Sequence, residues 1–175
     1  MPENFSFARL FIWVFVIVLG IELGAGLYET LVVLPTWTYE PPASVLEYYK
    51  HNAAFPQFAI IAGPRFWMFQ TPFLGLVSLI TIITGLRTDP EHRKWRIIGA
   101  GLALFVVVCT LAWFVPNLLS LIGDGVTKMS SEQITSVTHL WVRLNWVRVI
   151  VYSAAWLAGL KAMTVPVSRG LDRVV

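Results

Sequence analysis

Two carboxyl groups and two guanidinium groups interrupt apolar stretches of this sequence. Glu22 and Glu29 lie seven residues apart in FARLFIWVFVIVLGIELGAGLYETLVVL, and Arg143, Asn145 and Arg148 break HLWVRLNWVRVIVYSAAWLAGL. Seven residues make two helical turns, so both carboxyl groups share one face. Trp141, Asn145, Arg148 and Tyr152 follow i, i+4, i+7, i+11 and share another. Polar groups at membrane depth are costly and usually face a bundle interior, so they are where chemistry is to be sought. His51, in ASVLEYYKHNAAF, joins them on the outer side, where an imidazole can serve as a hydrogen-bonding group or a base.

Depth in a bilayer pairs two of these groups. At 1.5 Å per residue, Glu22 lies about 18 Å from Leu34 and Arg148 about 18 Å from Ser136, which predicts a Glu22–Arg148 pair. An unpaired charge at mid-membrane costs at least about 2.5 kcal/mol, so the pair could be purely structural. The other reading is a polar cavity in which Glu22, Glu29, Asn145 and Arg148 meet a substrate, walled by Trp141 and Tyr152. Several polar groups converge where one pair would suffice. Gln70 and Asn117 are single polar residues in apolar helices, either interhelical hydrogen-bond groups or further substrate contacts. Arg143 is off the shared face and suits snorkelling to headgroups. Gly20, Gly24 and Gly26 permit close packing.

No metal or organic cofactor is expected. His51, His139 and Glu29 could make a two-histidine, one-carboxylate site, but their spacing is no recognised ligand pattern. A haem would need axial histidines at matching depth on facing helices, and these lie near the edges. His92 falls in a basic loop, where it is solvated. The one cysteine, Cys109, has no partner for a disulfide or a thiolate pair.

The elements that must position these groups are membrane helices. The chain of 175 residues is 57% hydrophobic and 13% charged, with a mean hydropathy of +0.69; soluble domains carry about 25% charged residues. Four apolar runs, about 7–34, 66–86, 97–121 and 139–161, are long enough to cross a bilayer. Pro116 predicts a kink or break in the third. No cleavage site follows the first run, so it is expected to stay attached. A single membrane domain over 1–175 follows: an all-α, four-helix transmembrane bundle.

Basic residues fix its orientation. Arg9, then Arg87, Arg93, Lys94 and Arg96 in RTDPEHRKWR, then Lys161, Arg169 and Arg173 fall on one side. Only Lys50, Arg65 and Lys128 fall on the other, which predicts both termini in the cytoplasm and a multi-pass protein of the cytoplasmic membrane. The net charge of +3 is explained by these loops, so nucleic acid is not implied. The expected partners are the lipid bilayer and a hydrophobic small molecule, with a homo-oligomer or a larger membrane complex as further options. The outer loop, about Pro35 to Gly63, is expected to hold a short helix over the mouth of the pocket.

WVRLNWVR, with Trp141, Leu144, Asn145 and Arg148, resembles the W-x-x-L-N-x-x-R signature in the last helix of the anthrone-oxygenase-like family of small four-helix membrane proteins. In the first span the glycines, Tyr28 and a proline at Pro35 closing the helix are similar to that family's layout. The resemblance implies a membrane four-helix bundle. Some members oxidise anthrones to anthraquinones with molecular oxygen and no evident organic cofactor, whereas many in the wider family have no assigned activity. By that resemblance Trp141, Asn145 and Arg148 would line the site, Arg148 would stabilise an enolate-type anion left by loss of a carbon-bound proton, and Glu22, Glu29 or His51 would act as base. The acidic pair in the first span and the basic loop are not tied to that activity. A non-enzymatic membrane subunit or small transporter, with the ion pair as a packing or gating element, is the competing class.

Overall fold

The computed structural model describes residues 7–54 and 63–165. Its regular elements are helical, with no strand among the described residues. Helix α1 (Phe7–Tyr28) runs into a π turn (Glu29–Val33) and a short α2 (Pro35–Thr38). Then come α3 (Ala43–Ala54), α4 (Gly63–Gly85) and α5 (Pro90–Cys109). A second π turn (Thr110–Phe114), α6 (Val115–Ile122), a 3-10 turn (Asp124–Lys128) and α7 (Ser131–Thr164) follow.

Three continuous stretches are long and apolar enough to cross a membrane: Phe7–Thr38, Arg65–Gly85 and Pro90–Ile122. Helix α7 is as long, at 34 residues, but Arg143, Asn145 and Arg148 leave it outside that apolar set. The long helices pack in sequence, α1 on α4 and α7, and α5 on α4 and α7. Gly99 is required at the α5–α7 crossing, because a Cβ there would stand 2.9 Å from the Ala155 carbonyl oxygen. Inside lie Phe15, Leu19, Leu74, Ala100, Ala103 and Ala155. Outside, Ile17, Phe69, Leu76, Phe105 and Ile150 are exposed, as lipid-facing residues are.

Both prolines are preceded by π turns. Pro35 does not close the first helix, which continues to Thr38, and at Pro116 the third run is disturbed by a π turn but not broken, continuing to Ile122. A proline has no amide hydrogen, and its ring clashes with the carbonyl four residues back. In each case the preceding turn widens, and Leu34 N–H reaches Glu29 O at 2.8 Å, five residues back. Val115 N–H does the same to Thr110 O. Arg93, Lys94 and Arg96 lie in the first turns of α5 instead of in a loop, because Pro90 starts the helix after Asp89. Helix α7 starts eight residues before its apolar run, where Ser130 and Gln133 form a capping box: Gln133 N–H donates to Ser130 Oγ at 3.3 Å and Ser130 N–H to Gln133 Oε1 at 2.9 Å.

The start of α1, end of α4, start of α5 and end of α7 meet at one end of the molecule. Arg96 Nη1 donates to Ala8 O at 2.7 Å and Trp156 Nε1 to Val16 O at 3.2 Å. The basic residues Arg87, Arg93, Lys94 and Arg96 gather here. At the opposite end α3 covers α2 and α6, and Tyr49 Oη donates to Asp124 Oδ1 at 2.9 Å. The loop helix is therefore present over 43–54. Residues 55–62 of that loop, and the tail with Arg169 and Arg173, lie outside the described residues.

Candidate functional site

The first span and α7 are antiparallel neighbours, and their polar faces meet rung by rung. Reading α7 from Trp141 to Tyr152, its partners run back along the first span as Trp37, Thr30, Glu29 and Glu22. Trp141 packs on Trp37 and Phe114, ring centroids 5.9 and 5.6 Å away. Asn145 Nδ2 donates to Thr30 Oγ1 at 2.6 Å, and Thr30 donates on to Gly26 O. Arg148 Nη2 meets Glu29 Oε2 at 2.9 Å. Tyr152 Oη donates to Glu22 Oε1 at 3.2 Å.

The predicted Glu22–Arg148 pair is thus replaced by Glu29–Arg148. Counting depth from the ends of the apolar runs assumes that those ends are level. They are not, because Trp37, near the end of α2, stands opposite Trp141, ten residues into α7.

Helix α4 and the second π turn pack against this layer. Thr71 Oγ1 donates to Glu22 Oε1 at 3.2 Å. The Arg148 guanidinium lies between the rings of Trp67 and Phe114, 5.1 Å from each centroid. Such cation–π contacts contribute about 2 kcal/mol where the cation is desolvated. Glu22 is 1% exposed, Asn145 0% and Arg148 6%, whereas Glu29 is 15% exposed and marks the open edge.

Several polar atoms in this buried layer lack a hydrogen-bond partner: Glu22 Oε2, Asn145 Oδ1 and Arg148 Nε. They are one carboxyl oxygen, one amide acceptor and one cationic donor. Buried polar atoms are usually satisfied, so a set this dense is what a site for a polar-edged ligand provides. The layer also holds two carboxyl groups for one guanidinium, and Glu29 takes the guanidinium. Glu22 is left with an unengaged oxygen.

The other predicted residues fall elsewhere. Gln70 Nε2 donates to Val18 O at 3.1 Å, an α4–α1 bond, and Asn117 Nδ2 to Trp113 O at 2.7 Å within its own helical segment. Each thus places one amide N–H on a backbone carbonyl. His51 is exposed near the end of α3, and His139 and Arg143 are exposed on α7. Among the described residues no three His, Cys, Asp or Glu side chains converge as metal ligands, so His51, His139 and Glu29 do not assemble the two-histidine, one-carboxylate set. Trp67, Phe114, Thr30 and Thr71 are site residues that sequence reasoning missed. Thr30 follows Glu22 at i+8, and Trp67 and Thr71 are i, i+4 neighbours beside Gln70, so helical spacing carried the signal.

These observations define a helical protein with three stretches long and apolar enough to cross a membrane and a buried polar ladder between its first and last long helices. Residues 48–158, more than half of the chain, match the model of the anthrone oxygenase family, and the chain belongs to that family. No curated protein and no solved structure matches it. Trp67, Trp141, Asn145, Arg148 and Tyr152 lie inside the matched segment; Glu22, Glu29 and Thr30 lie before it.

Proposed function

We propose that this protein is a membrane-embedded oxygenase-like enzyme whose substrate is a hydrophobic aromatic or quinone-like molecule with an enolisable C–H group. The family supports the reaction class, and one observation carries the assignment of roles: the unpartnered Glu22 Oε2 shares a buried layer with the cation of Arg148. Glu22 acts as the base and takes the proton from the ring CH₂. Arg148 holds the charge that moves to the carbonyl oxygen. Molecular oxygen adds to the carbanionic carbon to give a hydroperoxide, and loss of water leaves a ketone. CH₂ and O₂ become C=O and H₂O, so no outside reductant and no organic cofactor is required. Asn145 Oδ1 accepts a phenolic hydroxyl, and Trp67, Trp141 and Phe114 give the ring system apolar walls. His51, exposed on α3, is set aside as the base.

In this reading the molecule is a four-span bundle in the cytoplasmic membrane, α7 being the fourth span, with both termini in the cytoplasm and the site toward the outer half. The second reading, a non-enzymatic subunit or small transporter, is favoured by the complete Glu29–Arg148 pair. Incubation of the purified protein with an anthrone, followed by oxygen uptake and quinone absorbance, separates the two. Glu22→Gln and Arg148→Gln should each lower turnover by about 100-fold, the scale of losing one charge-stabilising group. Unchanged turnover in a folded Glu22→Gln variant would sink the assignment of the base.

A further inference from the structure

The basic end holds a cavity of about 430 Å³ that the oxygenase reading does not use, lined by Phe7, Ala8, Ile83, Thr84, Arg87 and Thr88. Phe7 and Ile83 are 65% and 59% exposed, so the cavity opens beside apolar surface of α1 and α4. Its hydroxyl groups are spent on helix carbonyls: Thr84 Oγ1 donates to Ile80 O at 2.8 Å and Thr88 Oγ1 to Gly85 O at 2.7 Å. Charge is the remaining recognition element. Arg87 is exposed at the lip. Behind the Ala8 wall lies Arg96, 4% exposed, whose Nη1 holds Ala8 O and whose Nε has no partner.

A guanidinium this buried is normally paired with an acid. Among the described residues Arg96 has no ion pair, and Glu91, five residues before it, accepts the Trp95 indole N–H at 3.3 Å. An anion in the adjoining cavity would supply the missing charge. Basic pockets between membrane helices are where phosphate headgroups bind.

We propose that this cavity binds the phosphate of an anionic phospholipid, with Arg87 contacting the headgroup, Arg96 supplying buried positive charge, and Phe7 and Ile83 packing on the start of an acyl chain. The test is retention by the purified full-length chain, read by native mass spectrometry after exchange into micelles doped with phosphatidylglycerol or phosphatidylcholine. Phosphatidylglycerol should be retained in preference. Arg87→Gln should weaken that retention about fivefold, the contribution of one basic group near an anionic surface. Lys128→Gln, at the other end of the molecule, should leave it unchanged. Equal retention of both lipids, or an unaltered Arg87→Gln variant, would overturn the proposal. So would displacement of phosphatidylglycerol by inorganic phosphate at equal concentration, which would make this a site for free phosphate.

Discussion

At the scale of single residues, Arg148 has a carboxylate on one side and two aromatic faces around it. Removing one partner of a buried pair costs about 3 to 5 kcal/mol, whereas replacing both by apolar residues is often neutral. Glu29→Leu and Arg148→Leu should therefore each lower the thermal midpoint in detergent, and the double variant should recover it. If Arg148 also holds substrate charge, the recovered double variant remains inactive; restored turnover would reduce the pair to packing. A second residue-scale test concerns Tyr49. Its hydroxyl donates to Asp124, and that hydrogen bond, with lesser help from burial and the Asp124 charge, holds the phenol above its ordinary pKa. A raised value means the neutral form is favoured in the folded state. The tether is then complete below the unfolded phenol's pKa of about 10 and is lost as pH rises through the higher folded value. Tyrosinate absorbance should show a late-titrating component that Tyr49→Phe removes. The shared faces of Glu22 with Glu29, and of Trp141 with Tyr152, were legible from helical spacing. The aromatic partners of Arg148 were not, because Trp67 and Phe114 in apolar helices look the same whether they face lipid, core or a cation.

Among the elements, the two π turns are the parts least readable in sequence. A proline in an apolar run announces a disturbed turn, but whether the helix kinks, stops or widens depends on what packs beside it. Here both widen, and both carry site residues: Glu29 and Thr30 in the first, Thr110 and Phe114 in the second. A widened turn rotates the following residues relative to a regular helix. Pro116→Ala restores an amide hydrogen and should let the second turn tighten, drawing Phe114 off Arg148. The expected outcome is an unchanged or higher thermal midpoint with turnover reduced about tenfold or more, because small displacements at a site are costly. Equal loss of stability and activity would mean that the π turn is only a response to the proline. The loop helix was legible because Glu47, Lys50 and His51 alternate with apolar residues, and its start at Ala43 follows Pro41 and Pro42.

For the whole molecule, the sum of apolar area facing outward and polar groups facing inward is what a bilayer demands. Reporter fusions after Thr164 and at Lys128 should fall on opposite sides of the membrane; the same side for both would remove α7 as a span. The membrane class was legible from composition alone. Which helices touch was not, since depth counting has no way to align the ends of two antiparallel helices. The ladder between the first span and α7 has one more consequence. Its donors, Asn145, Arg148 and Tyr152, come from α7, and their acceptors, Thr30, Glu29 and Glu22, all come from the first span. The two halves are thus separable cassettes. A chimaera that takes residues 7–38 from another member of the family would exchange the three ladder acceptors together while keeping their α7 donors, one segment swap that turns the site into an interchangeable socket for selecting new substrates.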